Sequence, residues 1–232
     1  MSISINATVR KNMAAREQIN QRRAQTLTTI VAEAIEQMVI TGALTAGDRI
    51  NESTLAAQLN VSRGPVREAC RSLEKAGLLV SRVNRGVFVR TVSPEEAREL
   101  YEIRAALAGL TGQLAARRAS DEEIIAIAGL FERMSGVVKS GDVDKYYSLN
   151  VDLHAALLNA AKNTALSQHD NLITTQLHQH RRRGLARKES MELSHEEHRE
   201  IISALEKRDE SLMEKIMRRH VQSGWQRLSA AL

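Results

Sequence analysis

The reading of this chain turns on Asn60-Val61-Ser62-Arg63-Gly64-Pro65-Val66-Arg67-Glu68-Ala69-Cys70-Arg71-Ser72-Leu73. Ser62 is a good helix N-cap. Pro65 falls in the first turn that follows, where its missing N–H costs nothing. Val66, Ala69, Cys70 and Leu73 then recur at three- and four-residue steps and give one apolar face. Arg63, Arg67 and Arg71, spaced i, i+4, i+8, stack three guanidinium groups along the opposite face. A helix lying in the major groove needs an apolar back on its own domain and Arg forks toward guanine edges and phosphates. Ser62 and the amides of the helix start suit a phosphate, and Gly64 removes a side chain where helix and duplex would come closest. An arginine stripe alone reads equally well as a solvated basic face, so its neighbours must decide.

Upstream, Leu27, Ile30, Val31, Ala34, Ile35, Met38 and Val39 mark an amphipathic helix that Gly42 ends. Leu44 to Gly47 reads as a turn, and a short helix follows over Ser53–Leu59. Downstream, Gly77 is a C-cap. Leu79–Ser81 and Val87–Arg90, joined through Asn84-Arg85-Gly86, read as a β-hairpin with Arg82 and Arg85 flanking its tip. Three helices and a hairpin in about 65 residues describe a winged helix-turn-helix. Residues 1–25 are polar with scattered basic side chains and are expected to be a flexible tail.

The composition agrees with a nucleic-acid binder. Residues 1–90 hold 13 Lys/Arg against 7 Asp/Glu, and the remainder 20 against 21, so the net charge of +5 sits on the N-terminal part. The chain is 43% hydrophobic yet has few aromatics, so Leu, Ile, Val, Ala and Met must build the core. Cys70 is the single cysteine, which excludes an internal disulfide and favours a reducing compartment. No run approaches ~18 apolar residues, so no membrane span is expected, and the N-terminus lacks a secretory signal. The expected location is the cytoplasm.

A resemblance makes the N-terminal reading specific. Gly42-Ala43-Leu44, Gly47, Asn51-Glu52, Leu55-Ala56, Asn60 through Ala69, Leu73, Gly77-Leu78 and Arg85-Gly86 together resemble the GntR family of bacterial regulators over roughly residues 27–90. The resemblance implies that Ser62, Arg63, Gly64 and Arg67 lie against DNA, with Arg85 and Gly86 at the wing tip. Ser53 stands where some relatives place an arginine.

Ser93, Pro94, Glu95 and Glu96 open a new helix, and everything beyond is helical by period. Helices are expected near 94–117, 121–138, 142–161, 164–187, 194–207 and 209–230, with breaks at Ser120-Asp121, Gly141, Asn163, Glu189-Ser190 and Arg208-Asp209. Arg181-Arg182-Arg183 reads as a solvated helix face. Of seven histidines, His154, His198 and His220 have apolar neighbours at helical spacing, and Asn150 points the same way as His154. Three imidazoles converging inside a bundle would bind a divalent transition metal; isolated core or surface histidines are the competing reading. His169, His178, His180 and His195 are taken as surface or structural.

Tyr101-Glu102-Ile103-Arg104, Asn150-x3-His154, Ser194-x2-Glu197-His198 and His220 resemble the FCD domain of the FadR-like branch of the same family, a six-helix bundle, over about residues 94–228. The resemblance implies a metal held by Asn150, His154, His198 and His220, and a ligand cavity faced by Arg104. Asn150 stands where many members carry Asp, and Ala108 where Glu is frequent. A site of three His and one Asn leaves the ion's charge whole, which favours an anionic effector.

The expectation is therefore a mainly α chain: a tail over 1–25, a winged helix-turn-helix over 26–92 and a helical effector-binding and dimerisation domain over 93–232. It would act as a homodimeric repressor on a palindromic double-stranded DNA operator. The controlling ligand would be a small carboxylate, and the metal zinc, with nickel or manganese as alternatives. Two other readings stay open: a metal-dependent hydrolytic enzyme with Glu197 as general base, and a constitutive DNA-binding protein with a structural metal.

Overall fold

A computed structural model describes residues 26–230; the tail expected over 1–25 lies outside them. The described chain divides into two compact units, residues 26–38 with 47–90, and residues 39–46 with 91–230.

The first unit opens with a helix, α1, over residues 26–40, whose last two residues belong with the second unit. Val31 and Ile35 are its buried stripe, whereas Ile30, a member of the same apolar period, is exposed. Strand β1 (Arg49–Ile50) follows, then α2 (Glu52–Gln58), α3 (Arg63–Lys75), β2 (Leu79–Arg82) and β3 (Gly86–Val89). The sheet is antiparallel in the order β1-β3-β2, with Arg49 opposite Phe88 and Arg82 opposite Gly86. β1 interrupts the stretch expected to be turn and loop. Two residues are too few to show a period, and only Ile50 is buried. Asn51 caps α2, its Oδ1 accepting the Ser53 and Thr54 amides at 3.1 Å each. Glu74, near the end of α3, accepts both the amide and the hydroxyl of Ser81 at 2.8 and 3.0 Å. That clamp ties the hairpin to α3, so wing and helix are held as one piece.

The second unit contains six helices, α4 (Pro94–Arg118), α5 (Asp121–Ser140), α6 (Val143–Ala160), α7 (Thr164–Gly184), α8 (Lys188–Glu206) and α9 (Glu210–Ser229). Short polar side chains start five of them: Ser93, Ser120 (in a capping box with Glu123), Asp142, Asn163 and Asp209 each accept a first-turn amide. The sixth, α8, begins after Arg187 with no side-chain cap, and the break expected at Glu189-Ser190 falls instead at residues 185–187, because α7 ends at Gly184 and α8 starts at Lys188. Glu189 complements the dipole in its first turn, and Met191 is fully buried. α4 and α9 cross so closely that a Cβ on Gly112 would stand 2.6 Å from the Met213 carbonyl, a contact only glycine avoids. Tyr146 and Tyr147, both fully buried, anchor a core of Leu153, Leu157, Ile201 and Leu205. No helix among the described residues is long and apolar enough to cross a membrane.

Candidate functional sites: a recognition helix and a histidine cavity

α3 buries Val66, Ala69, Cys70 and Leu73, while Arg63, Arg67 and Arg71 are exposed on the other side. Burial pushes the Cys70 thiol up to about 11, so it remains protonated and is packing rather than a nucleophile. Arg71 pairs with Glu68 at 2.9 Å; Arg63 and Arg67 have no partner among the described residues. Ser62 holds the cap position with extended backbone, but its hydroxyl makes no capping bond. The first-turn amides of α3 are thus left to solvent or to an outside acceptor. A Cβ on Gly64 would meet nothing within 4 Å. No packing contact among the described residues requires glycine at that position.

Gly86 differs, because its φ of +97° itself calls for glycine at the wing tip. Asn84 is also left-handed, at φ 58°. Val83 and Arg85 are exposed there, and Arg82 lies over the Phe88 ring at 4.7 Å. Arg82 is thereby turned back along the hairpin, while Arg85 projects without a partner among the described residues.

In the helical unit, His154 of α6, His198 of α8 and His220 of α9 form a cluster. The Nε2 of His154 is 3.3 Å from that of His198 and 3.2 Å from that of His220. Ring nitrogens this close face one another only with a proton or a cation between them. Two nitrogens bound tetrahedrally to one zinc at ~2.0–2.1 Å stand about 3.3–3.4 Å apart, so the spacing fits a small divalent ion. Burial first, and the neighbouring histidines second, hold His154 and His198 well below the ordinary histidine range. His220 is lowered by burial against the pull of Glu197. All three rings are neutral at pH 7, the form in which imidazole ligates.

The far side of two rings is braced. His220 Nδ1 lies 2.6 Å from Glu197 Oε2, and His198 Nδ1 lies 3.4 Å from the Tyr146 hydroxyl. A carboxylate accepting from Nδ1–H turns the lone pair of Nε2 toward the cluster. Burial raises the Glu197 pKa, but its bonds to His220 and Arg227 win and hold it down to about 2. Such a carboxylate orients its neighbours and is a poor general base. Asn150, one turn before His154, is buried on the wall of the same cavity, with no hydrogen-bond partner among the described residues.

The remaining wall includes Tyr101, Arg104, Arg181, Ser194 and Arg227 around a void of ≈ 30 Å³. The resemblance implied Arg104 at such a cavity; Arg181 and Arg227 were not expected. The Arg181–Arg183 run is not a single solvated face. Consecutive helical residues point about 100° apart, so Arg181 is buried, Arg182 pairs with Asp144, and Arg183 is exposed. That angular rule was the available signal. Burial, and then Arg181, lower the Arg104 pKa to about 10, so it keeps its charge. Three other histidines have structural partners: His178 with Tyr147 at 2.9 Å, His195 with Ser135 at 3.0 Å, and His180 with the Val92 carbonyl at 3.0 Å. His169 is exposed.

Comparison with known proteins agrees with both halves. The sequence profile of the FCD domain matches residues 99–223, and that of "Bacterial regulatory proteins, gntR family" matches residues 27–89. The chain is 36% identical over 181 residues to the "Nta operon transcriptional regulator" of Aminobacter aminovorans, covering 76% of this chain and 82% of the relative. It is 33% identical over 199 residues to the "Probable D-xylose utilization operon transcriptional repressor" of Paenarthrobacter nicotinovorans, covering 84% and 86%. Its fold is similar to that of E. coli McbR/YncC, with TM-score 0.79 at 20% identity over 88% of this chain and 97% of that one. The matched families and relatives are transcriptional regulators rather than enzymes, which removes the hydrolase reading of the histidines. The chain belongs to the GntR family of bacterial regulatory proteins and is a transcriptional regulator with a C-terminal FCD domain.

Proposed function

We propose that this regulator represses transcription in the cytoplasm by binding a palindromic operator as a homodimer, and that a small carboxylate entering a metal-containing cavity of the helical unit releases it. Ser62, Arg63, Gly64, Arg67 and Arg71 of the recognition helix, with Arg85 and Gly86 of the wing, form the DNA-facing set. Arg63 and Arg67 supply the free forks for base edges or phosphates. One relative is named a probable operon repressor, which favours that sign of regulation.

The observation that carries the effector reading is the chemistry of one cavity: His154 and His220, whose Nε2 atoms converge with that of His198, share its wall with a buried Arg104 whose Nε has no hydrogen-bond acceptor. A divalent ion, zinc by the donor set, would be held by His154, His198 and His220 with Asn150 beside them. It would supply a Lewis-acid anchor for a carboxylate. Four neutral donors leave about two positive charges, and Arg104 adds another, so an organic acid is the natural counter-ion. A switch of this kind requires that the acid bind the two DNA-binding states with different affinity.

The test is a titration of the operator complex with short organic acids, using zinc-loaded and zinc-stripped protein. Release by an acid from the loaded protein alone is expected. Asn150→Asp should strengthen zinc binding and weaken the acid, because the added charge competes with it. Equal release from stripped protein would make the metal structural; no release by any acid would leave a constitutive binder.

A further inference from the structure

β1 is an edge strand of only two residues, and it carries Arg49 onto the wing. Residues directly opposite one another in an antiparallel pair point to the same face. Arg49 stands opposite Phe88, and Arg82 opposite Gly86, so Arg49, Arg82, Gly86 and Phe88 share one face of the sheet. The alternate set, with Ile50, Leu79 and Val89, is buried, which makes the arginine face the outer one. The Arg49 side chain runs along this face to the wing tip: a Cβ on Gly86 would stand 3.3 Å from its Nε and 3.4 Å from its Nη2. Gly86, already called for by its φ of +97°, thus also leaves room for a guanidinium.

No acid among the described residues holds that guanidinium. Arg49 is exposed and makes no hydrogen bond or ion pair with any of them. Arg82, on the same face, leans instead on the Phe88 ring. A free surface arginine by itself is only a solvated side chain. Its place sets Arg49 apart: it lies against Gly86, next to Arg85 in the chain, where the hairpin is expected to meet DNA. The clamp of Glu74 on Ser81 holds that surface fixed to the recognition helix. Neighbouring strands are ~4.8 Å apart, and the minor groove is about 6 Å wide. A hairpin tip that enters such a groove fills it, so a cation from the next strand meets the phosphate rim rather than base edges.

We infer that Arg49 is a DNA-contacting residue, the cation with which the outer face of the wing grips a backbone phosphate beside the groove that its tip enters. The DNA surface of this unit then extends past α3 and the hairpin tip onto β1. This rests on the wing-tip reading proposed above and adds to it a residue from outside the recognition helix and the hairpin. Arg49 is a positioning residue, because a phosphate contact fixes the register of the wing and carries no sequence information. Gly86 serves it from below, since a side chain there would crowd the fork. The contact is hidden in the sequence, where Arg49 falls in a stretch that reads as turn and loop, and only the pairing of β1 with β3 brings it to the wing.

The test uses full-length protein and a DNA duplex that the wild type selects from a random-sequence pool, with binding followed by fluorescence anisotropy across a salt series. Arg49→Ala should weaken binding about five- to tenfold and flatten the slope of log affinity against log salt by about 0.9. The loss should be the same for duplexes that differ only in the base pairs under the wing. Arg49→Lys should restore most of the affinity and of the slope, because a phosphate accepts a point charge. Unchanged affinity or an unchanged slope in Arg49→Ala overturns the inference, as does a lysine variant that fails to restore the slope. A loss confined to duplexes with an A·T-rich flank also overturns it, because the fork would then lie in the minor groove and read its width. Arg85→Ala separates the two readings. If that variant weakens binding while Arg49→Ala does not, the wing tip still meets DNA and only the phosphate contact of Arg49 is removed. If neither variant changes binding, both are removed together.

Discussion

Two sets of arginines lack a hydrogen-bond or ion-pair partner among the described residues, and they differ in one respect. Arg63 and Arg67 on α3 are exposed, whereas Arg104 and Arg181 in the helical unit are buried. Water solvates the first pair, so leaving them unpaired costs the fold almost nothing. The second pair is shielded from water and has ring faces beside it rather than an ion pair, although Asp170 pulls on Arg104 from a distance, so burial there costs the fold more. An unpaired surface cation says little by itself; its meaning comes from a row of its kind on one helical face. An unpaired buried cation says more, because its burial has a cost that an exposed one does not bear.

The sharpest way to break this comparison is to remove the surface pair. Arg63→Ala and Arg67→Ala should each cost roughly 1–3 kcal/mol of operator affinity, and about 2–6 kcal/mol together if the sites are independent. Where they contact phosphates, the dependence of binding on log salt should flatten by about 0.9 per arginine. Acid binding should be unchanged. Operator affinity that survives the double variant would reassign α3.

A smaller effect is expected at the brace of the histidine cluster. Glu197→Gln should lower zinc affinity by about 10–100-fold, read by competition with a chromogenic chelator. Zinc-free operator binding should stay at the wild-type value. An unchanged zinc affinity would leave Glu197 as the partner of Arg227 alone.

The smallest effect separates protein stability from DNA contact. Since no described residue beyond its own stretch of α3 comes within 4 Å of a Cβ at Gly64, Gly64→Ala should raise stability by about 0.4–1 kcal/mol in denaturant unfolding. Operator affinity should fall, because the added methyl meets the duplex. If affinity and stability rise together, the helix start does not approach DNA closely.

The recognition helix was legible because every signal it carries is local: apolar and basic periods run side by side through one stretch of chain. The histidine cluster was legible only in part. Helical spacing shows that His154, His198 and His220 face inward, but His154 is separated from the others by 44 and 66 residues, and their meeting is a fact of packing. The start of α8 was hidden because Arg187 provides no cap, and Ser190 mimics one just inside the helix. Arg181 was hidden by its company. A basic run invites a single reading as surface, although a helix sends its three members in different directions.

Residues 39–46, the last two residues of α1 and the stretch that follows toward β1, fold with α4–α9. The Ala46 amide donates to Gln179 Oε1 at 2.8 Å, and Gly42, at φ +79°, is packed so that a Cβ there would stand 3.2 Å from the Arg182 guanidinium carbon. The described chain therefore passes between its units three times, after residues 38, 46 and 90. The two halves are not beads joined by a single thread. A chimera spliced at residue 90 would graft the foreign bundle onto a loop shaped for another α7, and would leave the native bundle without a piece of its own wall. Exchange of sensing domains in such a protein has to move residues 39–46 along with the helices, or redesign the seat they occupy.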